Sequence, residues 1–204
     1  MNRNLVGLAL VAVIVLCFPA LASAHVGGEA EGGSGFVAGL LHPLLGLDHF
    51  LAMLGVGIVS AQLGGRRIFT IPTMFVLAMI GGAVAGVYGA AWPLTEVGIA
   101  VSVVVLGAAI ATVKENGNAW PVMVVVLLFG SLHGHAHGLE LPKAADPVYY
   151  AAGFVTSTAS IHLLGVGIGH LLTVRSGWGV FLRHMGSGMV GMGLMILLDS
   201  MASR

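Results

Sequence analysis

The chain has 204 residues, 57% of them hydrophobic and 8% charged, against about 25% charged in ordinary soluble domains. Eight basic and eight acidic residues cancel, so nothing marks a polyanion-binding surface and nucleic acid is not an expected partner. The 32 glycines recur inside long apolar runs, and the combination of high hydrophobicity, low charge and glycine-bearing apolar runs excludes a water-soluble globular protein, a disordered chain and a disulfide scaffold.

Residues 1–24 read as a cleaved signal peptide ahead of a transmembrane domain at 25–204. Arg3 supplies the basic start, Leu5 to Leu16 the apolar core, and Ala22-Ser23-Ala24 a small-residue cleavage site. Cys17 is the only cysteine, and the Leu16 before it is bulky where lipoprotein processing favours a small residue. Cleavage after Ala24 leaves a mature chain without thiols, which excludes thiolate metal sites and disulfides. Its new N-terminus, His25, would face the periplasm and joins the candidate metal ligands, because a free amine and an imidazole can chelate together.

Six apolar stretches of spanning length follow, at 36–60, 68–88, 94–113, 119–137, 148–172 and 179–199. Each suits a bilayer core, which needs roughly 20 residues of helix. Backbone in lipid must satisfy its own hydrogen bonds, and the runs lack the alternation of a barrel strand. The expected fold is an all-α, polytopic membrane bundle of six transmembrane helices. Arg66, Arg67, Lys114 and Arg175 fall in alternate loops, with Arg183 close by, against Lys143 and Arg204 on the other side. By the positive-inside rule the former are cytoplasmic, so both mature termini are expected in the periplasm of a bacterial inner membrane.

Small residues let helices pack where lipid gives no hydrophobic drive. Gly81, Gly82, Gly86 and Gly89 are expected to do this in the second span, and Gly186, Ser187, Gly188, Gly191 and Gly193 in the sixth. Leu54-Gly55-Val56-Gly57-Ile58 recurs as Leu164-Gly165-Val166-Gly167-Ile168, and reads as packing glycines rather than as a duplication.

Ionisable side chains within a span are costly and default to function. The first cluster is His42-Pro43-Leu44-Leu45-Gly46-Leu47-Asp48-His49. On one straight helix His42 and His49 would stand about 10.5 Å apart along the axis. A break between Pro43 and Gly46 would bring His42 toward Asp48 and His49, a device that recurs at transporter ion sites. The second cluster is His133-Gly134-His135-Ala136-His137-Gly138-Leu139-Glu140. Helical spacing puts His133, His137 and Glu140 on one face, where two imidazoles and a carboxylate can hold one divalent ion. His135 points away toward a neighbouring helix or the pore mouth. The third is His162, mid-span behind Thr156, Ser157, Thr158 and Ser160, whose hydroxyls can orient an imidazole. Glu96, opening the third span, is either a helix-start carboxylate or a fourth ligand. His170, Arg183 and His184 read as interfacial, and the stripe of Met185, Met189, Met192 and Met195 as packing filler.

The motifs H-P-L-L-G-L-D-H at 42–49, S-L-H-G-H-A-H-G-L-E at 131–140 and G-F-V-T-S-T-A-S-I-H at 153–162 resemble the HupE/UreJ family of hydrogenase and urease accessory membrane proteins. The resemblance implies a nickel permease supplying hydrogenase or urease maturation, with cobalt as another metal of the family. By motif it implicates His42, Asp48, His49, His133 and Glu140 in nickel handling; His135, His137, His162 and Glu96 extend that set by spacing.

Imidazole and carboxylate ligands suit Ni(II), Co(II), Zn(II) or Cu, and affinity order alone does not choose among them. No G-x-x-x-x-G-K-[ST] sequence is present, so transport is expected to run on a gradient, as a facilitator or proton-coupled carrier. No catalytic residue or catalytic cofactor is expected. The expected partners are the lipid bilayer, the metal ion, and a periplasmic metal donor or cytoplasmic metallochaperone. Two other classes compete: a membrane-embedded metal hydrolase, which lacks the Glu of H-E-x-x-H, and a metal-binding accessory protein that does not transport.

Overall fold

The computed structural model describes residues 31–115, 117–141, 146–174 and 179–202. The expected signal peptide at 1–24 and the candidate ligand His25 lie outside the described residues. Seven helices appear there in chain order: α1 (Glu31–Leu45), α2 (Leu47–Leu63), α3 (Arg67–Val87), α4 (Thr95–Thr112), α5 (Trp120–Leu139), α6 (Pro147–Thr173) and α7 (Gly179–Ala202). No strand occurs among the described residues.

The last five helices are each long and apolar enough to cross a bilayer, and α1 with α2 makes a sixth span if the pair is taken as one. This chain is a multi-pass membrane protein. Its outer surface fits a lipid environment: Phe69, Leu77, Trp120, Val148 and Leu198 are all exposed. Such a continuous apolar exterior would be a liability in water.

The expected first helix is two helices that meet at 81° across Gly46. Gly46 has φ −86° and ψ 111°, extended backbone that α-helix cannot continue through. Pro43 lies inside the last turn of α1 rather than at the break. It offers no N–H to the preceding turn, which weakens the helix just before it ends. Asp48 then stabilises the restart, since its Oδ1 accepts from the His49 backbone N–H at 2.8 Å. That N–H belongs to the first turn of α2, where no intrahelical partner exists. The remaining boundaries fall close to the expected ones. At the start of α6, Asp146 accepts from the Val148 and Tyr149 N–H groups, with Pro147 in the first turn.

The closest packing pairs α3 with α5, α4 with α7, and α6 with both α1 and α2. Glycine explains how near the backbones come. A Cβ at Gly134 would fall on the Met79 carbonyl, and one at Gly82 on the Ser131 carbonyl. Gly57 and Gly165, one glycine from each copy of the repeated pentapeptide but not equivalent positions in it, face each other across α2 and α6 as a packing seam. The expectation was too broad elsewhere. Gly81, Gly89, Gly188 and Gly191 have no neighbour where a Cβ would stand, whereas Gly86, Gly186 and Gly193 do. The methionine stripe divides likewise, with Met189 buried and Met192 and Met195 exposed.

The positive-inside assignment makes a direct prediction. Epitope tags inserted at 65–67 and at 114–118 are expected to be protected in intact cells, and a tag after Arg204 accessible from outside. A protected C-terminal tag would overturn the proposed orientation.

Candidate metal centre

Two structural devices build the site. The break at Gly46 folds His42, from the end of α1, back over His49 in the first turn of α2. Their ring centroids are 6.5 Å apart, where a straight helix would separate them by about 10.5 Å along its axis. The last two turns of α5 then bring His133 and His137 alongside. The His137 ring lies 4.7 Å from that of His42 and 4.5 Å from that of His49, and the His133 ring 5.0 Å from that of His49. Four imidazoles from two distant stretches of sequence thus share one pocket.

Hydrogen bonds fix how these rings face. His49 Nδ1 donates to Asp48 Oδ1 at 2.8 Å, which leaves Nε2 with its lone pair and no hydrogen-bond partner. His133 Nδ1 donates to the Phe129 carbonyl at 2.8 Å, and its Nε2 is likewise buried and unpartnered. A carboxylate or carbonyl behind one ring nitrogen is the arrangement that presents the other to a metal. His137 is buried with neither nitrogen paired by a hydrogen bond, and Glu140 Oε2 stands 4.0 Å from its Nδ1.

Glu140, at the C-cap of α5, also accepts from His42 Nε2 at 3.0 Å. That hydrogen bond is the main reason its carboxyl is held below the usual range, partial burial working against it. Glu140 is therefore a carboxylate at neutral pH. His42, His137 and Glu140 each offer a ligand atom within 4.8 Å of the others. The pocket has an outer trio (His42, His137, Glu140) at a half-exposed mouth and an inner pair of Nε2 atoms (His49, His133) below it. His137 touches both. Nitrogen and carboxylate oxygen without sulfur is a ligand set for a borderline divalent cation.

The other expected ligands sit elsewhere. His135 belongs to a different contact: its Nε2 donates to the Ala90 carbonyl at 2.7 Å, and its Nδ1 lies 3.0 Å from the Thr95 hydroxyl. Its ring stacks on Trp92 at 4.4 Å. With both nitrogens committed, it braces the α3–α4 turn against α5. Glu96 is exposed in the first turn of α4 and outside the cluster. His162 is fully enclosed at a deeper level. His170 and His184 are exposed.

Three aromatic residues were not anticipated. Phe154 tilts against His137 at 4.1 Å, Tyr150 lies 6.1 Å from His42, and Phe75 meets His133 edge-on at 5.4 Å. They wall the pocket on the sides that the histidines leave open. In sequence, an aromatic in an apolar span carries no mark that distinguishes wall from filler.

His135→Ala is therefore expected to cost much less metal affinity than His133→Ala, while lowering thermal stability. Nickel-binding isotherms of both variants, beside melting curves in detergent, check this. Equal loss of binding would put His135 back among the ligands.

Residues 12–196 match the protein family described as HupE / UreJ protein. A similar curated protein is Protein HupE of Rhizobium leguminosarum bv. viciae, 42% identical over 163 residues, covering 79% of this chain and 83% of that protein. No solved structure matches the chain.

Proposed function

This chain belongs to the HupE/UreJ family, and on that premise we propose that it carries a divalent transition metal, nickel foremost, across the inner membrane. The observation that supports this best is the convergence of His42, His49, His133 and His137 at a broken helix, with buried ring nitrogens left unpartnered. Unsatisfied imidazoles within a membrane span are expensive, and metal binding relieves that cost.

The geometry suits capture followed by hand-over. Glu140 and His42, half-exposed at the mouth, replace the first waters of the incoming cation. His137 shares the ion with them and then with His49 and His133, whose Nε2 atoms lie deeper. Each station has few protein ligands, so the ion is held weakly enough to leave, as conduction requires. With the orientation proposed above, the mouth opens to the periplasm and the net direction is uptake. The metal delivered would serve hydrogenase or urease maturation, and the role is transport or accessory rather than catalysis.

Proteoliposomes containing only this chain test the reading. Radiolabelled nickel is expected to accumulate down its gradient, with Co(II), Zn(II) and Cu(II) added as competitors to rank the metals. Saturable nickel binding without flux would overturn transport in favour of a non-transporting binder.

A further inference from the structure

We propose that His162, with the Thr158 hydroxyl and the Met79 thioether, forms a second, deeper station for the transported cation, separated from the outer cluster by the ring of Phe75. This rests on the transport reading and adds to it the next step of the path.

His162 is 2% exposed, and neither ring nitrogen has a hydrogen-bond partner. The contrast with His135 is informative. Both are buried imidazoles in the same bundle, yet His135 has found a partner for each nitrogen. A histidine serving the core alone behaves as His135 does, because an unmade hydrogen bond in an apolar interior is costly. His162 instead keeps both ring nitrogens open.

Its surroundings supply further ligand atoms. Thr158 precedes it by four residues on α6, one turn away on the same face. The Thr158 hydroxyl points at Met79 Sδ, 3.9 Å away. Met79 and Phe75 are likewise one turn apart on α3. Imidazole nitrogen, thioether sulfur and hydroxyl oxygen together suit a borderline or soft cation and discriminate against Mg(II) and Ca(II), which demand oxygen ligands.

The level of this group continues the line from the mouth. His162 lies roughly 22 Å along α6 from Pro147, near the middle of that helix. The Phe75 ring stands edge-on to both imidazoles, 5.4 Å from His133 and 5.1 Å from His162 between centroids. Phe75 thus touches both imidazoles, and in this proposal an ion passing from His133 to His162 moves past its ring, which keeps the two stations distinct.

The test combines nickel-binding stoichiometry in nanodiscs with flux in proteoliposomes. Wild type is expected to bind one more nickel ion than His162→Gln, which should keep the affinity of the outer cluster and lose at least about tenfold in flux. His162→Cys retains a ligand and is expected to restore flux with its preference moved toward Cd(II); a histidine that only fills space would give no such change. If His162→Gln fails to insert, the near-isosteric pair Thr158→Val with Met79→Leu takes its place, with the same expected loss of one ion and of flux. Unchanged stoichiometry and flux in the inserted variant would overturn the inner station while leaving outer transport intact. Absent flux in the wild type would instead overturn the transport reading itself.

Discussion

Removing the imidazole of His133 or the carboxylate of Asp48 is expected to abolish most metal uptake while the protein still inserts. His133 supplies a buried Nε2 aimed into the cluster, with its other nitrogen tied to the Phe129 carbonyl. His133→Ala deletes a ligand outright. Asp48 acts through its neighbour: its Oδ1 holds His49 Nδ1–H at 2.8 Å and so fixes which nitrogen faces the metal. Loss of such an orienting carboxylate commonly costs 10- to 100-fold in metal affinity, so Asp48→Ala is expected to fall in about that range. His42→Ala, His49→Ala and Glu140→Ala are expected to act in the same direction, through the mouth or the inner pair. Folding should survive at the His133 position, because the only side-chain hydrogen bond lost is the one to the Phe129 carbonyl within the same helix. Radiolabelled nickel uptake at low external metal, normalised to membrane-inserted protein, measures this. Near-normal uptake for both His133→Ala and Asp48→Ala would defeat the transport reading.

How far the sequence alone leads depends on what kind of interaction decides each feature. Spans are set by apolar length, a local property, and five of them lie within a few residues of the expected limits. The bend was legible too: a break was expected between Pro43 and Gly46, because two histidines would otherwise stand too far apart to share an ion, and it falls at Gly46. Which glycines pack was only half legible. Spacing shows that Gly81 and Gly82 are both small, but only the identity of the neighbouring helix decides that Gly82 faces Ser131 and Gly81 faces nothing.

His135 illustrates the same limit. It lies in the richest histidine run of the chain, and its hydrogen bonds to Ala90 and Thr95 cross 45 and 40 residues of sequence. No local pattern announces them. Phe75, Tyr150 and Phe154 escaped for the converse reason. Aromatic residues are ordinary in a bilayer span, and their role comes only from standing beside His133, His42 and His137.

Adding a single methyl group at Gly134 is expected to damage the protein more than most changes of ligand. Gly134 sits between His133 and His135 on α5, pressed against the backbone of α3. A Cβ there would fall on the Met79 carbonyl, with the Met79 Cα only 2.8 Å away. These are backbone atoms, so no side-chain rotation relieves the clash, and α3 must retreat from α5. The seam continues through Gly138, facing Ala83, and Gly82, facing Ser131, so the whole pair would separate. Overpacking of this kind costs typically about 1–3 kcal/mol, and a backbone-to-backbone overlap belongs at the upper end. The retreat would also move Phe75 and Met79 away from His133 and Thr158, so the site would open as the fold weakens. Gly81→Ala is the matched control. Gly81 is one position from the seam and open on its Cβ side, where replacing glycine in a helix is expected to gain roughly 0.5–1 kcal/mol. Melting curves of the two variants in nanodiscs should therefore move in opposite directions, with Gly134→Ala losing nickel binding as well. A Gly134→Ala protein that melts and binds like wild type would show that the α3–α5 seam is looser than its glycines imply.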